Sequence, residues 1–269
     1  MTAGASNGRS IVFFHAHPDD EAIFTGGTMA LLAAQGWRLV VVLATQGEQG
    51  EPSPLVQPGV PLAVRRVAET AEAAEQLGAE RVEFLGYHDS GLAGDAPEGP
   101  VQPFARCSVE EAAERLGRIL SGEKAASLVT YDEQGIYGHP DHIQVHRVAK
   151  RAADLAGVPT VYEATVDREY LHFVETHLVV EASRGLVQPE RRHLGLAAST
   201  LGLSTVEVDC TVDVRPVLAI KRQAMAAHAS QIPETCSAMR LPEASFAAVY
   251  GFEWYVRRGP PGPIDGLAS

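Results

Sequence analysis

Two histidines and three acids lie within seven residues near the start of the chain. The segment His15–Glu21 follows the apolar run Ile11–Phe14 and precedes a stretch of helical composition, Ala22–Gln35. Carboxylates clustered at the end of a buried strand are costly in a low dielectric unless a cation or a proton relay neutralises them. The segment therefore predicts either a divalent metal site or only a helix start, since proline and acids also suit the first turn of a helix.

A second segment with the same composition lies far along the chain. Gly135–His142 places a glycine-rich turn and a His-Pro-Asp sequence between a strand region and a helix. Two such turns are hard to explain as independent helix caps, whereas two elements of one sheet would point at one crevice. The pair therefore favours a shared metal site.

The elements that must position these segments alternate between strands and helices. Strands are predicted at Ile11–Phe14, Trp37–Ala44, Arg81–Leu85, Ser127–Tyr131 and Thr160–Ala164, and helices at Ala22–Gln35, Ala63–Leu77, Val109–Leu120 and Pro140–Ala156. This alternation predicts an α/β fold with a Rossmann-like, doubly wound, mostly parallel sheet and helices on both faces. Ligands bind such sheets beyond the carboxyl ends of the strands.

The last third of the sequence has a different pattern. Val206–Val214 alternates between apolar and polar residues, which predicts a half-exposed antiparallel strand, and Arg215–Ala229 predicts a helix. We expect a Rossmann-like metal-binding core at residues 1–165. A smaller α+β portion at 166–269 would complete the same domain and end in a flexible tail rich in proline and glycine.

Composition and charge exclude several classes of protein. The 269 residues are 45% hydrophobic, and 22 basic against 34 acidic residues give a net charge of −12. Such a surface offers nucleic acid no electrostatic footprint and suits a small-molecule substrate better. No apolar run approaches the roughly 18 residues of a membrane span, and Met1–Ser10 lacks the apolar core of a signal peptide. We expect a cytoplasmic protein. The sequence leaves open whether it forms a homo-oligomer.

The sequence resembles the family of LmbE-like, or PIG-L-type, zinc-dependent N-deacetylases. The residues that carry the resemblance are His17–Glu21 and His139–His142, with supporting matches at Arg66–Glu69, Gly86–Gly91 and Ala226–Gln231. Within the family the chain looks most like mycothiol-type deacetylases and conjugate amidases. The resemblance implies an enzyme that removes the acetyl group from an N-acetylglucosamine-containing small molecule.

The resemblance also implies a metal site and a base. The metal, Zn²⁺ or alternatively Fe²⁺, would be held by His17, Asp20 and His142, with Asp19 beside it as general base. Two imidazoles and a carboxylate leave a fourth position for water, whose pKa falls towards about 7 on zinc. Two imidazoles and a carboxylate suit iron as well.

A second group must stabilise the oxyanion and protonate the leaving amine. By resemblance this is His139, with Asp141 as its orienting partner and Tyr137 as a further hydrogen-bond donor. An imidazolium beside a carboxylate would keep its proton near neutral pH. Structural alternatives stay open, because His139 can simply cap a helix and Tyr137 can simply pack.

Four further residues are candidates for holding the substrate. Arg66 and Asp89 resemble family positions that bind sugar hydroxyls, Glu48 lies in a loop at a strand's carboxyl end, and His228 could reach the site. Three of them have a plainer alternative: a surface ion pair for Arg66, a solvated acid for Glu48 and a core histidine for His228.

Three rival functions follow from the same sequence. An amidase on thiol conjugates, or a tailoring deacetylase on a glycosylated natural product, would share the metal site and differ in the loops 47–61 and 86–103. A non-catalytic binding module would lack amide hydrolysis. A dinucleotide-binding protein would need a GxGxxG turn where this chain has His17–Asp20.

Overall fold

A single sheet of seven strands is present in the computed structural model, which describes residues 10–54, 56, 59–94, 99–174 and 201–268. The strands are β1 (Ser10–His15), β2 (Arg38–Leu43), β3 (Arg81–Phe84), β4 (Ala125–Tyr131), β5 (Thr160–Thr165), β6 (Cys210–Asp213) and β7 (Phe252–Arg258). The sequence-based expectations for residues 1–9, for 175–200 and for parts of the loops 47–61 and 86–103 lie outside the described residues.

The helices of the described residues follow the predicted alternation. They are α1 (Asp20–Phe24), α2 (Gly26–Ala34), α3 (Leu62–Gln76), α4 (Val109–Gly122), α5 (Gly135–Gly138), α6 (Pro140–Ala156), α7 (Arg168–Phe173), α8 (Leu218–Ala227) and α9 (Glu243–Tyr250). Within these residues no helix is both long and apolar enough to cross a membrane.

The predicted helix over Ala22–Gln35 is in fact two helices, α1 and α2. Thr25 between them has a non-helical backbone, with φ −135° and ψ 2°. Two glycines follow it, and the second approaches a neighbouring segment so closely that a Cβ at Gly27 would lie 2.3 Å from Val214 Cβ. The break therefore lets α2 pack tightly against the chain just after β6.

The strand order is β3-β2-β1-β4-β5-β7-β6. The first five strands are parallel, while β7 is antiparallel to both β5 and β6. The prediction of a mostly parallel sheet is thus confirmed. The chain winds outward from β1 through β2 and β3, and then in the other direction from β4. The crevice where ligands bind such sheets therefore opens at the carboxyl ends of β1 and β4.

Helices cover both faces of the sheet. On β1, Val12 and Phe14 belong to the hydrophobic core that includes residues of α4 and α6. Ile11 and Phe13, which point the opposite way, belong to the core that includes residues of α2, α3 and α8. Side chains alternate between the two faces of a strand, so a continuous apolar strand requires this double cover.

The C-terminal third differs from its prediction in two respects. The strand expected at Val206–Val214 is shorter, because Thr205–Glu207 forms a 3-10 turn before β6 begins. The expected flexible tail is wrong within the described residues: Arg257 and Arg258 belong to β7, and Ile264 beyond them is fully buried. The two antiparallel strands extend the same sheet, and the tail packs onto it.

A buried ion pair attaches β7 to the helices beside the crevice. The carboxylate of Glu253 accepts hydrogen bonds of 2.8 Å from the backbone N–H groups of Gly27 and Thr28, in the first turn of α2. Lys221 Nζ on α8 lies 2.7 Å from the same carboxylate. An anion at a helix N-terminus satisfies its unpaired N–H groups and its dipole. Glu253 therefore fixes where α2 begins.

We predict that Lys221→Met destabilises the protein by about 3 kcal/mol, because it leaves a buried carboxylate without its counter-charge. The double variant Lys221→Met/Glu253→Gln is expected to recover part of this loss. Chemical denaturation measures both. Lys150→Met on the exposed face of α6 is the matched control and should change stability little. An unchanged free energy of unfolding in Lys221→Met would contradict the assignment of Lys221 and Glu253 as a stabilising buried ion pair.

Candidate metal site

The two His-Pro-Asp segments meet because the strands before them are neighbours. β1 ends at His15 and β4 ends at Tyr131, and these parallel strands are paired in the sheet. Each strand is then followed by a helix at the same edge of the sheet. The rings of His17 and His142 lie with their centroids 5.4 Å apart. The sheet thus brings together two segments that are far apart in sequence.

Three side chains form a compact set of metal donors. Asp20 Oδ2 lies 3.5 Å from His17 Nδ1 and 3.2 Å from His142 Nε2. Ligands about 2.0–2.2 Å from a tetrahedral ion lie roughly 3.3–3.6 Å from one another. All three residues are buried, and together they can hold a metal ion. The donors predicted from the sequence therefore fit a divalent cation.

The second ring nitrogen of His17 faces two further carboxylates. His17 Nε2 lies 3.1 Å from Asp141 Oδ2 and 3.4 Å from Asp89 Oδ1. Burial alone would lower the pKa of His17. Hydrogen bonds to Asp141, Asp20 and Asp89 nevertheless hold that pKa well above its usual range. Metal-binding histidines commonly donate their other N–H to a carboxylate, which fixes the ring and its tautomer. The same excess of negative charge attracts a cation.

These contacts correct the predicted role of Asp141. Its carboxylate contacts His17 and accepts a hydrogen bond of 2.9 Å from Ser90 N, and only its backbone N–H donates to His139 Nδ1, at 3.1 Å. The reason is geometric. Asp141 lies in the first turn of α6, where its side chain points across the crevice and its backbone N–H points back at His139, the N-cap residue of the helix. Asp141 orients His17 in this structure.

The expected imidazolium at His139 is also corrected. Burial, and then the neighbouring imidazoles of His17 and His142, lower the pKa of His139 to about 4. Its Nδ1 accepts the Asp141 N–H, so the neutral ring carries its hydrogen on Nε2. His139 caps α6 and lies at the site, with its ring centroid 4.6 Å from that of His17. In the neutral form the ring can donate a hydrogen bond from Nε2.

Asp19 is the carboxylate next to the donors that reaches solvent. Its side chain is 17% exposed, and its Oδ2 lies 3.2 Å from Arg66 Nη2. Burial raises the pKa of Asp19 to about 6, against the opposing charge of Arg66. Its backbone is left-handed, with φ 99°, a conformation that costs a residue other than glycine about 1–3 kcal/mol. A strained residue held at a functional site requires support from its surroundings.

His142 is fixed by two tyrosines, of which the sequence analysis found one. The ring of Tyr131, at the end of β4, stacks on His142 with centroids 4.3 Å apart. Tyr137 Oη lies 3.4 Å from His142 Nε2. Tyr131 also accepts a hydrogen bond from Ala16 N at 3.1 Å, which joins it to the first segment. An aromatic residue ending the strand before the second motif was the sequence feature that could have identified it.

The turn α5 brings Tyr137 to the site through an unusual backbone. Ile136 has φ 64° and ψ −60°, and its N–H donates to Asp132 Oδ1 at 2.8 Å. Gly135 before it has φ 63°, and a Cβ there would lie 2.7 Å from His142 Cβ. Glycine is therefore required where this turn passes behind the imidazole.

The predicted substrate-binding residues lie at different depths. Glu48, with 21% of its side chain exposed, accepts a hydrogen bond of 2.9 Å from Asp89 N. Asp89 and Arg66 are each only 4% exposed. The guanidinium of Arg66 donates to the backbone oxygens of Pro18 and Gly47. Substrate contact by these three residues stays a prediction, while Arg66 and Asp89 support Asp19 and His17 directly.

The structure contradicts a direct contact between His228 and substrate. The side chain has no exposed surface, and its Nε2 lies 2.5 Å from Glu21 Oε1. Burial alone would lower the pKa of His228, but the carboxylate of Glu21 raises it. His228 is the C-cap residue that follows α8, and its ring contacts Glu21 of α1.

Two other histidines are structural. His15 contacts Tyr131 Oη at 3.1 Å and Thr25 Oγ1 at 3.0 Å, and burial lowers its pKa to about 4. His146 Nδ1 lies 3.0 Å from the backbone oxygen of Tyr131. Both help to hold the ends of the strands that carry the site.

Comparison with known proteins agrees with this geometry. Residues 12–153 match the family model PIG-L, described as GlcNAc-PI de-N-acetylase. A curated relative from Thermobispora bispora, 1D-myo-inositol 2-acetamido-2-deoxy-alpha-D-glucopyranoside deacetylase, is 35% identical over 95% of this chain and 90% of its own. The family match includes both His-Pro-Asp segments and ends before β5.

Solved structures with the same fold include different activities. The A40926 pseudoaglycone deacetylase has a TM-score of 0.61 at 17% identity, covering 96% of this chain and all of that one. The 4-carboxy-2-hydroxymuconate hydratase of Pseudomonas putida has a TM-score of 0.57 at 20% identity, covering 95% of this chain and 98% of that one. At this identity the likeness shows the fold alone, so activity must be argued from the site.

We predict that Asp141→Asn weakens zinc affinity about 10- to 100-fold, because His17 loses a carboxylate that orients it. Titration calorimetry of the protein with zinc measures this. Asp154→Asn, an exposed position on the same helix, is the control and should bind zinc as the parent does. If Asp141→Asn bound zinc with the affinity of the parent protein, the contact between Asp141 and His17 would not contribute to zinc binding.

Proposed function

The chain belongs to the PIG-L family of N-deacetylases, and from this membership we propose that it hydrolyses the acetamide of an N-acetylglucosamine-containing small molecule. The Thermobispora relative is named for an inositol-linked N-acetylglucosamine, and similarity to it extends over 95% of this chain. We infer the same substrate class here. The site supplies what amide hydrolysis needs: metal donors, an adjacent base and a hydrogen-bond donor.

One observation carries the proposal. The carboxylate of Asp19 is partly exposed and belongs to the residue immediately before Asp20 of the donor set, yet it pairs with Arg66 and is not itself one of the grouped donors. A hydrolase of this kind requires a base that stays off the metal and can still reach water. Asp19 meets both conditions.

We propose that a divalent metal is held by His17, Asp20 and His142, whose spacing and burial fit zinc and also suit iron. When bound, such an ion supplies Lewis-acid polarisation of the amide carbonyl and a lowered pKa for water. Asp89 and Asp141 keep the His17 ring in place from behind. The donors are thereby held rigid before substrate arrives.

In the proposed reaction Asp19 takes a proton from water as the oxygen attacks the amide carbon. Asp19 returns that proton to the leaving nitrogen as the C–N bond breaks, so that a free amine and acetic acid form, and the acid then loses its remaining proton to water to give acetate. Arg66, 3.2 Å away, stabilises the ionised state of Asp19. Proton transfer by a positioned carboxylate contributes typically 10²–10⁴-fold to rate.

His139 and Tyr137 are proposed to stabilise the oxyanion. The neutral His139 ring can donate from Nε2, because its Nδ1 is occupied by the Asp141 N–H. The Tyr137 hydroxyl lies at the same edge, 3.4 Å from His142 Nε2. Hydrogen-bond donors aimed at developing negative charge are worth 10²–10³-fold each in comparable enzymes.

We predict that Asp19→Ala retains zinc binding and loses about 10²–10⁴-fold in turnover. The assay follows amine release from N-acetylglucosaminyl-inositol and from N-acyl glucosaminides with and without a thiol-bearing aglycone. Chelation of the parent enzyme should abolish hydrolysis, and Zn²⁺ or Fe²⁺ should restore it. Full activity after complete metal removal, or a parental rate in Asp19→Ala, would refute the proposal.

The substrate panel separates the deacetylase from the amidase alternative. Release of amine from simple N-acetylglucosaminides supports deacetylation, whereas release only from thiol-bearing conjugates identifies a conjugate amidase. Glu110→Ala on the exposed face of α4 serves as the control variant, because it lies on the surface and pairs only with Arg151 among the described contacts. Its rate should equal that of the parent.

A further inference from the structure

The backbone of Asp19 needs an anchor. Its φ of 99° is rarely adopted by residues other than glycine, yet Asp19 is the residue before α1 and its carbonyl accepts hydrogen bonds from Ala22 and Ile23. Such a conformation persists only where contacts with the surroundings hold it. The contacts of the Asp19 amide therefore decide where its carboxylate points.

That amide is bound by Glu21. Glu21 Oε2 accepts a hydrogen bond of 3.1 Å from Asp19 N, and Glu21 Oε1 lies 2.5 Å from His228 Nε2. Glu21 and His228 have no exposed surface. The carboxylate thus bridges the strained amide on one side and an imidazole on the other.

The imidazole is itself fixed to the rest of the fold. Two residues after His228, the N–H and hydroxyl of Ser230 donate to Glu69 at 2.9 and 2.6 Å. The Ser230 carbonyl accepts a hydrogen bond of 2.7 Å from Ser53 N. Glu69 lies on α3 one turn after Arg66, which contacts the Asp19 carboxylate. Helix α3 therefore supports Asp19 from both ends, through Arg66 on its side chain and through His228 and Glu21 on its amide.

We propose that Glu21 and His228 form a positioning pair that holds Asp19 in its left-handed conformation, with its carboxylate beside the metal donors. The inference rests on the proposed function of Asp19 as base. Neither residue touches substrate, because both are fully buried. The pair acts through the geometry of the Asp19 amide, and its effect is confined to steps in which Asp19 takes part.

The proposal distinguishes geometry from charge at position 21. In Glu21→Gln the amide oxygen can still accept the Asp19 N–H, and the amide nitrogen can donate to Nε2 of a neutral His228. Glu21→Ala removes both contacts. A positioning role therefore predicts that glutamine rescues what alanine loses, whereas a requirement for negative charge predicts that the two variants fail alike.

The experiment measures kcat, KM, zinc affinity and melting temperature for Glu21→Ala, Glu21→Gln and His228→Leu. A misplaced catalytic group costs on the order of 10²-fold, so we expect about that loss of kcat in Glu21→Ala, with KM and zinc affinity within about threefold of the parent. Glu21→Gln should keep kcat within about threefold. The control Glu123→Ala removes a carboxylate that pairs with Arg38 and Arg81 at the opposite end of the sheet.

A double-mutant cycle with Asp19→Ala completes the test. If the pair acts through Asp19, Glu21→Ala causes no further loss once Asp19 is absent. A further loss near 10²-fold in that background would overturn the proposal, as would parental kcat in a folded Glu21→Ala or equal failure of Glu21→Gln. If Glu21→Ala does not fold, His228→Leu replaces it in the cycle. A parental rate in Asp19→Ala alone would instead overturn the proposed function.

Discussion

The site depends on the attraction between buried carboxylates and imidazoles at the carboxyl ends of β1 and β4. Asp20, Asp89 and Asp141 surround His17, and the first of these also contacts His142. Carboxylates this close repel one another in a low dielectric unless positive charge lies among them. The arrangement is therefore stable with protonated histidine or with a cation, and the three converging donors make a divalent metal the better partner.

The surrounding fold resists the collapse of this cluster. Tyr131 stacks on one imidazole, Asp89 and Asp141 hold the other, and Glu253 fixes the first turn of α2. Asp19, the proposed base, has a strained backbone and contacts Glu21 of α1 and Arg66 of α3. Strain of this kind persists only where the surroundings over-determine it, which is common where catalysis requires a preformed geometry.

Much of this could be predicted from the sequence, because it follows from local pattern and one rule of sheet topology. Apolar runs located the parallel strands, and the rule that ligands lie beyond strand ends brought the two His-Pro-Asp segments to one crevice. The resemblance to the deacetylase family then implied that His17 and His142 are the ligands within them. The direction of Asp141 could not be predicted, since spacing to His139 does not reveal which imidazole its carboxylate reaches. The charge of His139 depends on two other rings brought near by folding. β7 was missed because a glutamate within the strand suggests an exposed position, whereas Glu253 is buried among partners on α2, α8 and β7 itself.

The most direct test of the account is an anomalous difference map from crystals grown with zinc. We predict one strong peak about 2.0–2.2 Å from His17 Nδ1, an oxygen of Asp20 and His142 Nε2, with Asp19 outside the coordination sphere. The alternative donor group of His17, His139 and Asp141 lies on the other side of the same imidazole. A peak centred on that group, or coordination by Asp19, would contradict the assignment of metal and base.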